Sequence, residues 1–188
     1  MPTHVALLRA VNVGKSVRLP MAELRELAEA RGHGDVATHL QSGNLVFTPA
    51  EDLGPEALAA DLATALEAHL GVPVPVVVLA APQWRALMDA NPYAAQADSD
   101  PATVHATIRA QDVTSDQREA ALRLLADSEA SGSEDHLSVV GRTIYLSTPA
   151  GLGRSRLAER LSRSRATGQD QATARNWRTV EAIARLLG

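Results

Sequence analysis

The stretch His4-Val5-Ala6-Leu7-Leu8-Arg9-Ala10 is a nearly continuous apolar run of strand length close to the start of the chain. A run of this kind is typical of a central strand that is buried on both faces. A polar loop over residues 12–18 follows it, and Pro20 then stands where proline favours a helix start. Apolar residues recur at helical spacing after Pro20, at Met21, Leu24, Leu27 and Ala28. The opening of the chain therefore predicts a strand and then a helix.

Two β-rich runs come next, at residues 36–40 and 45–48, and Gln41-Ser42-Gly43-Asn44 separates them. Glycine and asparagine tolerate the positive φ of a tight turn, so these runs predict a hairpin. A second helix is predicted from Pro55 to His69 and a fourth strand over residues 74–79. The resulting order is β-α-β-β-α-β, the ferredoxin-like pattern.

The second half repeats this pattern after a short connecting helix over residues 82–90. Strands and helices are predicted, in chain order, at residues 104–109 (strand), 115–126 (helix), 137–140 and 143–147 (hairpin strands) and 154–161 (helix). A helix that includes Trp177 and Leu187 occupies the place of a closing strand. We therefore expect an α+β fold of two ferredoxin-like halves, residues 1–80 and 81–188, the second incomplete and ending in a C-terminal helix.

Composition narrows the classes of function. The apolar fraction of 45% supports a packed core, and an aromatic fraction of 3% offers little surface for base stacking. The chain has no cysteine, which excludes disulfides, thiolate catalysis and cysteine-ligated metals. No apolar run has the length of a signal peptide or a membrane span, so we expect a cytoplasmic protein that does not contact membranes.

Charge is distributed unevenly along the chain. The net charge is −4, but residues 151–188 hold eight basic and three acidic side chains, and residues 1–150 hold ten basic and nineteen acidic ones. The basic C-terminal segment is suited either to attracting an anionic ligand or partner or to docking on the acidic remainder of its own chain. The sequence leaves both readings open.

A polar edge is predicted where the first strand ends. In a β-α-β-β-α-β unit the first and third strands are adjacent and antiparallel, so the end of one lies beside the beginning of the other. This topology gathers hydrogen-bonding and cationic groups, which suit an anion or polar ligand. Gln, Ser, Gly and Asn are also common turn formers, so a purely structural role is equally open. The residues of this edge are Arg9, Asn12, Lys15, Gln41, Ser42 and Asn44.

Two further candidates lie in the basic segment. Residues 151–156, Gly-Leu-Gly-Arg-Ser-Arg, follow a strand and open a helix, so backbone N–H groups together with Arg154 and Arg156 suit an anion. The alternative is a flexible helix entry with surface arginines. In the third candidate, Thr173 is expected to cap the last helix, with Arg175 and Asn176 projecting from its first turn.

Familiar catalytic motifs are absent. Gly14-Lys15-Ser16 resembles the end of a phosphate-binding P-loop, but Arg9 stands where that motif needs its first glycine. Gly151 and Gly153 lack the third glycine of a dinucleotide fingerprint. The histidines have no metal-ligand spacing. We therefore expect neither a metal nor a cofactor, and no catalytic residue is assigned.

The chain resembles a bacterial family known as domain of unknown function 1697. The segments that carry the resemblance are residues 6–14 (ALLRAVNVG), 21–25 (MAELR), 41–44 (QSGN), 153–157 (GRSRL) and 173–177 (TARNW). The resemblance implies an α+β fold with ferredoxin-like halves and brings no activity, substrate or catalytic residue. At two positions, Ala10 and Lys15, the family pattern usually has glycine.

Three functions follow as hypotheses. The first is a binding protein for a phosphate-bearing ligand, either a nucleotide or nucleic acid. The second is an enzyme that uses the same pocket, with Arg9 stabilising negative charge. The third is an interaction module without a small-molecule ligand. The oligomeric state is left open.

Overall fold

The computed structural model describes residues 1–14, 16–168 and 172–188. The chain divides into two compact units. The first comprises Met1–Ala86 together with Glu181–Gly188, and the second comprises Leu87–Val180. Each unit holds one four-stranded sheet.

The sheet of the first unit has the strand order β2-β3-β1-β4, and its neighbouring strands are antiparallel. This order is the ferredoxin-like arrangement predicted from the sequence. The elements are β1 (His4–Leu8), α1 (Met21–Ala30), β2 (Gly34–His39), β3 (Asn44–Thr48), α2 (Pro55–Leu70), β4 (Val76–Ala80) and α3 (Ala81–Asp89).

The first apolar run forms a central strand, as expected. Val5 to Leu8 are at most 1% exposed, so β1 is buried on both faces. Leu24 of α1 and Leu62 of α2 pack in the same apolar cluster as Leu8 of β1. Helix α2 starts with Pro55 and ends at Leu70, and Gly71, with a φ of 72°, caps its C-terminus. Apolar burial against the helices therefore fixes the position of β1 in the unit.

The sheet of the second unit has the order β6-β7-β5-β8, again with antiparallel neighbours. Helix α5 begins with a capping box, in which Thr114 and Gln117 satisfy each other's backbone N–H groups. The elements are α4 (Ala94–Ser99), β5 (Val104–Arg109), α5 (Ser115–Ala130), β6 (His136–Val140), β7 (Thr143–Ser147), a 3-10 turn (Leu152–Arg154), α6 (Arg156–Arg163), a second 3-10 turn (Arg165–Thr167), β8 (Ala172–Asn176) and α7 (Trp177–Leu187).

The fold class predicted from the sequence is confirmed, including the C-terminal helix, with one correction. The second sheet is not incomplete, because β8 pairs with β5 along its length, from His105 opposite Asn176 to Arg109 opposite Ala172. Strand β8 lacks a continuous apolar pattern, since it carries Arg175 and Asn176. Pairing with a buried neighbour, rather than local sequence, makes this segment a strand.

Helix α4 was also not predicted, and the polar residues around it were interpreted as a break. Among the described residues, no helix combines the length and apolar character needed to cross a membrane.

Candidate functional site

The predicted polar edge of the first unit lies where β1 meets β3. Leu7 is paired with Asn44, and the Leu8 N–H donates to the Gly43 carbonyl at 2.8 Å. The end of β1 therefore lies beside the start of β3, as the topology requires. The loop that leaves β1 then passes the turn that joins β2 to β3, where the Asn12 side chain reaches Gln41.

Asn12 joins three backbone groups from two loops. Its Nδ2 donates to the carbonyl oxygens of Leu19 at 2.7 Å and Gln41 at 2.8 Å, and its Oδ1 accepts from the Leu19 N–H at 2.9 Å. The φ of Asn12 is +56°, a conformation that asparagine tolerates better than most residues. The amide of Asn12 is therefore committed to the protein's own backbone.

Asn44 has a similar role on the other side of the turn. It is 1% exposed, and its Nδ2 donates to the His39 carbonyl at 2.8 Å and to Ser42 Oγ at 3.0 Å. Arg9 is half-buried and Gln41 is exposed. Lys15 lies outside the described residues. The two asparagines of this edge thus hold the turn in place.

Gly43 explains why this turn approaches β1 so closely. Its φ is +70°, and a Cβ built on it would lie 2.6 Å from Leu8 Cβ and 2.7 Å from Val11 Cγ2. Only glycine fits this position without displacing buried side chains.

A pocket of about 440 Å³ lies in the second unit, between the sheet and the segment that contains the 3-10 turn and α6. Ligand pockets in proteins usually have volumes of about 300–1,000 Å³. Residues from three strands form one wall, and these are His105 and Thr107 of β5, Leu146 of β7 and Ala174 of β8. The opposite wall includes Leu152, Arg154, Ser155, Arg156, Ala158 and Leu161.

Two cations face this pocket without a partner. Arg154 and Arg156 both line the pocket and are exposed. Within residues 1–14, 16–168 and 172–188, neither guanidinium takes part in a hydrogen bond or an ion pair. Their charge is therefore available to an anion that enters the pocket.

Ser155 fixes the backbone between the two arginines. Its Oγ accepts from the Ala158 N–H at 2.8 Å, which caps α6, and donates to Asp135 Oδ2 at 2.7 Å. Both side chains are nearly buried, since Ser155 is 7% and Asp135 is 6% exposed. A buried charge-assisted hydrogen bond thus anchors the start of α6.

His105 contributes an imidazole to the sheet side of the pocket. The residue is 8% exposed, and its Nδ1 is buried without a hydrogen-bond partner. Burial lowers the pKa of His105, while the Thr103 carbonyl acts in the opposite direction. The ring is therefore held neutral near pH 7, when it has one donor and one acceptor nitrogen.

The third predicted candidate has a different structure from the one expected. Thr173 lies within β8 and does not cap a helix, whereas Asn176 Oδ1 accepts from the Thr179 N–H at 3.0 Å and caps α7. Arg175 is 8% exposed and donates to Thr173 Oγ1 and to the Ala174 carbonyl. Burial lowers its pKa to about 10. Ala174 lines the pocket, so strand alternation directs Arg175 to the other face of the sheet.

The structure thus brings together Arg154 and Arg156 at one pocket, and Asn12, Gln41, Ser42 and Asn44 at one turn.

Sequence reasoning missed His105 and Thr107. Their alternation with buried Val104, Ala106 and Ile108 was the available signal, because alternate residues of a strand share a face. It did not indicate which face would border a pocket. Among the described residues, no cluster of three metal-ligating side chains was found.

The fold and these contacts define a mixed α+β protein with two ferredoxin-like sheets and a cationic pocket in the second unit. The chain belongs to the family described as "Protein of unknown function (DUF1697)", whose model matches residues 1–145. Comparison with curated proteins gives no match.

Among solved structures, the chain is similar to the conserved bacterial protein SP0830 from Streptococcus pneumoniae. The identity is 21% and the TM-score 0.68, with coverage of 100% of this chain and 99% of that one. At this identity the similarity establishes the fold.

Proposed function

We propose that the protein binds a phosphate-bearing ligand, and that the pocket beside α6 in the second unit is the binding site. The observation that carries this proposal is the pair Arg154 and Arg156, two unpartnered guanidinium groups that line a pocket of about 440 Å³. Hydrogen bonds from arginine to phosphate are charge-assisted and stronger than neutral ones. Two arginines also match the charge of a phosphate monoester, which is close to −2 near pH 7.

The setting of the two arginines supports the same conclusion. They lie in residues 151–188, the segment with a charge excess of five positive groups over negative ones. The ion pairs among the described residues of the second unit use other arginines on exposed surface, as with Arg160 and Asp127 at 2.7 Å. An anion that approaches this segment is attracted by its field before it makes any contact.

The polar edge of the first unit supports phosphate binding less strongly. The amide groups of Asn12 and Asn44 already bond to backbone carbonyls or to Ser42. Arg9 and Gln41 remain candidates for a ligand contact at that edge. We therefore place the binding function at Arg154 and Arg156, and Arg9→Ala serves to test the first unit.

Isothermal titration calorimetry with phosphate-bearing compounds tests the proposal. Methyl phosphate and AMP are suitable probes, at low ionic strength because salt screens exposed charges. The double variant Arg154→Ala/Arg156→Ala should weaken binding at least tenfold, since each charge-assisted hydrogen bond contributes about 1.5–3 kcal/mol.

The matched control is Arg118→Ala, because Arg118 is an exposed arginine on α5 in the same unit and does not line the pocket. This variant should bind as the wild type does. Equal affinity of the wild type and the double variant would refute the proposed site. A loss confined to Arg9→Ala would move the function to the first unit.

A further inference from the structure

One end of the pocket beside α6, which we call its polar end, is lined by Arg154, Arg156 and His105. Strand β7 ends at Ser147 opposite Val104, and the chain then enters the 3-10 turn at Leu152. His105 is the second residue of β5, so it lies at this same end of the sheet. The chain leaves the sheet at this end and then forms the 3-10 turn with Arg154 and the start of α6 with Arg156. Leu161 and Ala174 line the pocket farther along α6 and β8.

The walls of the pocket are aliphatic rather than aromatic. Leu146, Leu152, Ala158, Leu161 and Ala174 supply the apolar surface, and none of the described lining residues is Phe, Tyr or Trp. Binding sites for nucleobases commonly stack the base on aromatic side chains. Aliphatic walls instead favour a saturated hydrocarbon chain, whose affinity comes from removal of its surface from water.

The imidazole of His105 is a second indication that this pocket takes a polar group. Among buried side chains, nearly all polar atoms have hydrogen-bond partners. His105 is more than nine-tenths buried and lines the pocket, and its Nδ1 is buried without a hydrogen-bond partner. A ligand oxygen at the polar end gives this ring a partner.

We propose that the ligand of this pocket is an aliphatic phosphate monoester. Its phosphate lies among Arg154, Arg156 and His105, and its hydrocarbon chain lies along Leu161 and Ala174. This inference rests on the proposed phosphate-binding function and adds the chemical class of the group that the phosphate carries.

Calorimetry with a chain-length series tests this class. Methyl, butyl and hexyl phosphate carry the same head group, and each methylene that becomes buried raises affinity by up to about fourfold. Hexyl phosphate should bind at least tenfold more tightly than methyl phosphate. AMP should bind no more tightly than methyl phosphate, since the pocket offers its base no stacking ring.

Three variants assign the contacts. Arg154→Ala/Arg156→Ala should lower hexyl phosphate affinity at least tenfold, and His105→Phe should lower it severalfold because it keeps an aromatic ring and removes both nitrogens. Ala174→Asp places a carboxylate in the aliphatic wall and should abolish the gain from chain length. Its control is Val140→Asp, on the exposed edge strand β6 outside the pocket, which should keep wild-type affinity.

Thermal melting of each variant separates loss of binding from loss of folding. Ala174 is exposed, so Ala174→Asp should melt close to the wild type. If His105→Phe is unfolded, His105→Leu provides the second variant, since it also removes both nitrogens, and it should likewise lower hexyl phosphate affinity severalfold.

The outcomes distinguish this inference from the function on which it rests. Arginine-dependent binding of methyl phosphate and AMP without any chain-length effect would overturn the aliphatic ligand and leave phosphate binding intact. Hexyl phosphate affinity that is unchanged in the double arginine variant, or no binding of any phosphate compound, would overturn both.

Vesicles that contain phosphatidic acid test whether the aliphatic phosphate ester is part of a lipid or a free, soluble molecule. Sedimentation of the wild type but not of Arg154→Ala/Arg156→Ala with these vesicles would assign the phosphate ester to a lipid. Binding of soluble hexyl phosphate without sedimentation would assign it to a free ester. Sedimentation that is equal for both proteins would contradict the role of the arginines.

Discussion

The side-chain amide of Asn12 donates a hydrogen bond to the backbone carbonyl of Gln41 at 2.8 Å and thereby joins the loop after β1 to the turn before β3. The same amide nitrogen donates to the Leu19 carbonyl, so one side chain joins two separate points of the backbone, at Leu19 and Gln41. This contact gives Asn12 a structural role in the first unit.

Replacement of Asn12 by alanine should therefore lower the free energy of unfolding by about 2–4 kcal/mol. Three hydrogen bonds are lost, each with a net contribution of about 0.5–1.5 kcal/mol, and the φ of +56° is less favourable for alanine. Urea denaturation measures the change. Gln41→Ala is the control, because it keeps the backbone carbonyl that Asn12 contacts and removes only an exposed side chain. Equal losses in the two variants would contradict this role for Asn12.

Gly43→Ala should be more destabilising than Gly71→Ala, and this pair isolates the effect of close packing. Both glycines have nearly the same φ, +70° and +72°, so the conformational cost of about 1–2 kcal/mol is shared. A Cβ at Gly43 would lie 2.6 Å from Leu8 Cβ, whereas a Cβ at Gly71 has no heavy atom within 4 Å.

Overpacking of a core typically adds about 1–3 kcal/mol, which is the difference we expect between the two variants in urea denaturation. If Gly71→Ala lost as much stability as Gly43→Ala, backbone conformation alone would account for both.

The sequence alone predicted the strands and helices that depend on a local pattern of residues. Strand β5, at Val104–Arg109, was predicted to the residue because a buried central strand has a nearly uninterrupted β-favouring run. Asn12 and Gln41 were predicted to be neighbours from strand order alone, because antiparallel pairing of β1 with β3 forces their loops together.

Features that depend on distant packing were not predictable in the same way. Strand β8 is polar in sequence, and only its pairing with β5 makes it a strand. The pocket beside α6 requires His105 and Leu161 to line one space, although 56 positions separate them in the chain. No local pattern encodes that separation, so the sequence indicated Arg154 and Arg156 without the wall opposite them.

Acidification should destabilise the first unit through His33. This residue is 8% exposed, its Nδ1 accepts from the Ala50 N–H at 3.3 Å, and its Nε2 is buried without a partner. Burial lowers the pKa of His33; the nearby Asp61 raises it and Arg31 lowers it, both with smaller effect. As the pH falls through 6.5, the ordinary pKa of histidine, the unfolded chain therefore binds more protons at this position than the folded chain does.

The unfolding midpoint in urea should accordingly fall as the pH is lowered from about 7.5 to about 5.5. The decrease should be smaller in His33→Phe, which has no titrating group and can keep the ring contact with Phe47 at 4.7 Å. Higher salt should preserve the effect, because desolvation is its main cause and added ions do not screen it. A pH dependence that is identical in the wild type and His33→Phe would exclude His33 as a contributor.

Ser155→Ala should lower the free energy of unfolding of the second unit by about 2–5 kcal/mol. The Ser155 hydroxyl caps α6, which is worth about 0.5–2 kcal/mol, and it donates to the nearly buried Asp135 carboxylate, which is worth about 1.5–3 kcal/mol. Ser162→Ala is the matched control on the same helix, since its exposed hydroxyl only donates to the Glu159 carbonyl and its loss should cost less than about 0.5 kcal/mol. Ser155→Thr should restore most of the stability because it keeps the hydroxyl. If the two alanine variants unfolded at the same urea concentration, the Ser155 contact with Asp135 would not anchor α6. The apolar contacts of Leu157 and Leu161 alone would then have to fix the positions of Arg154 and Arg156.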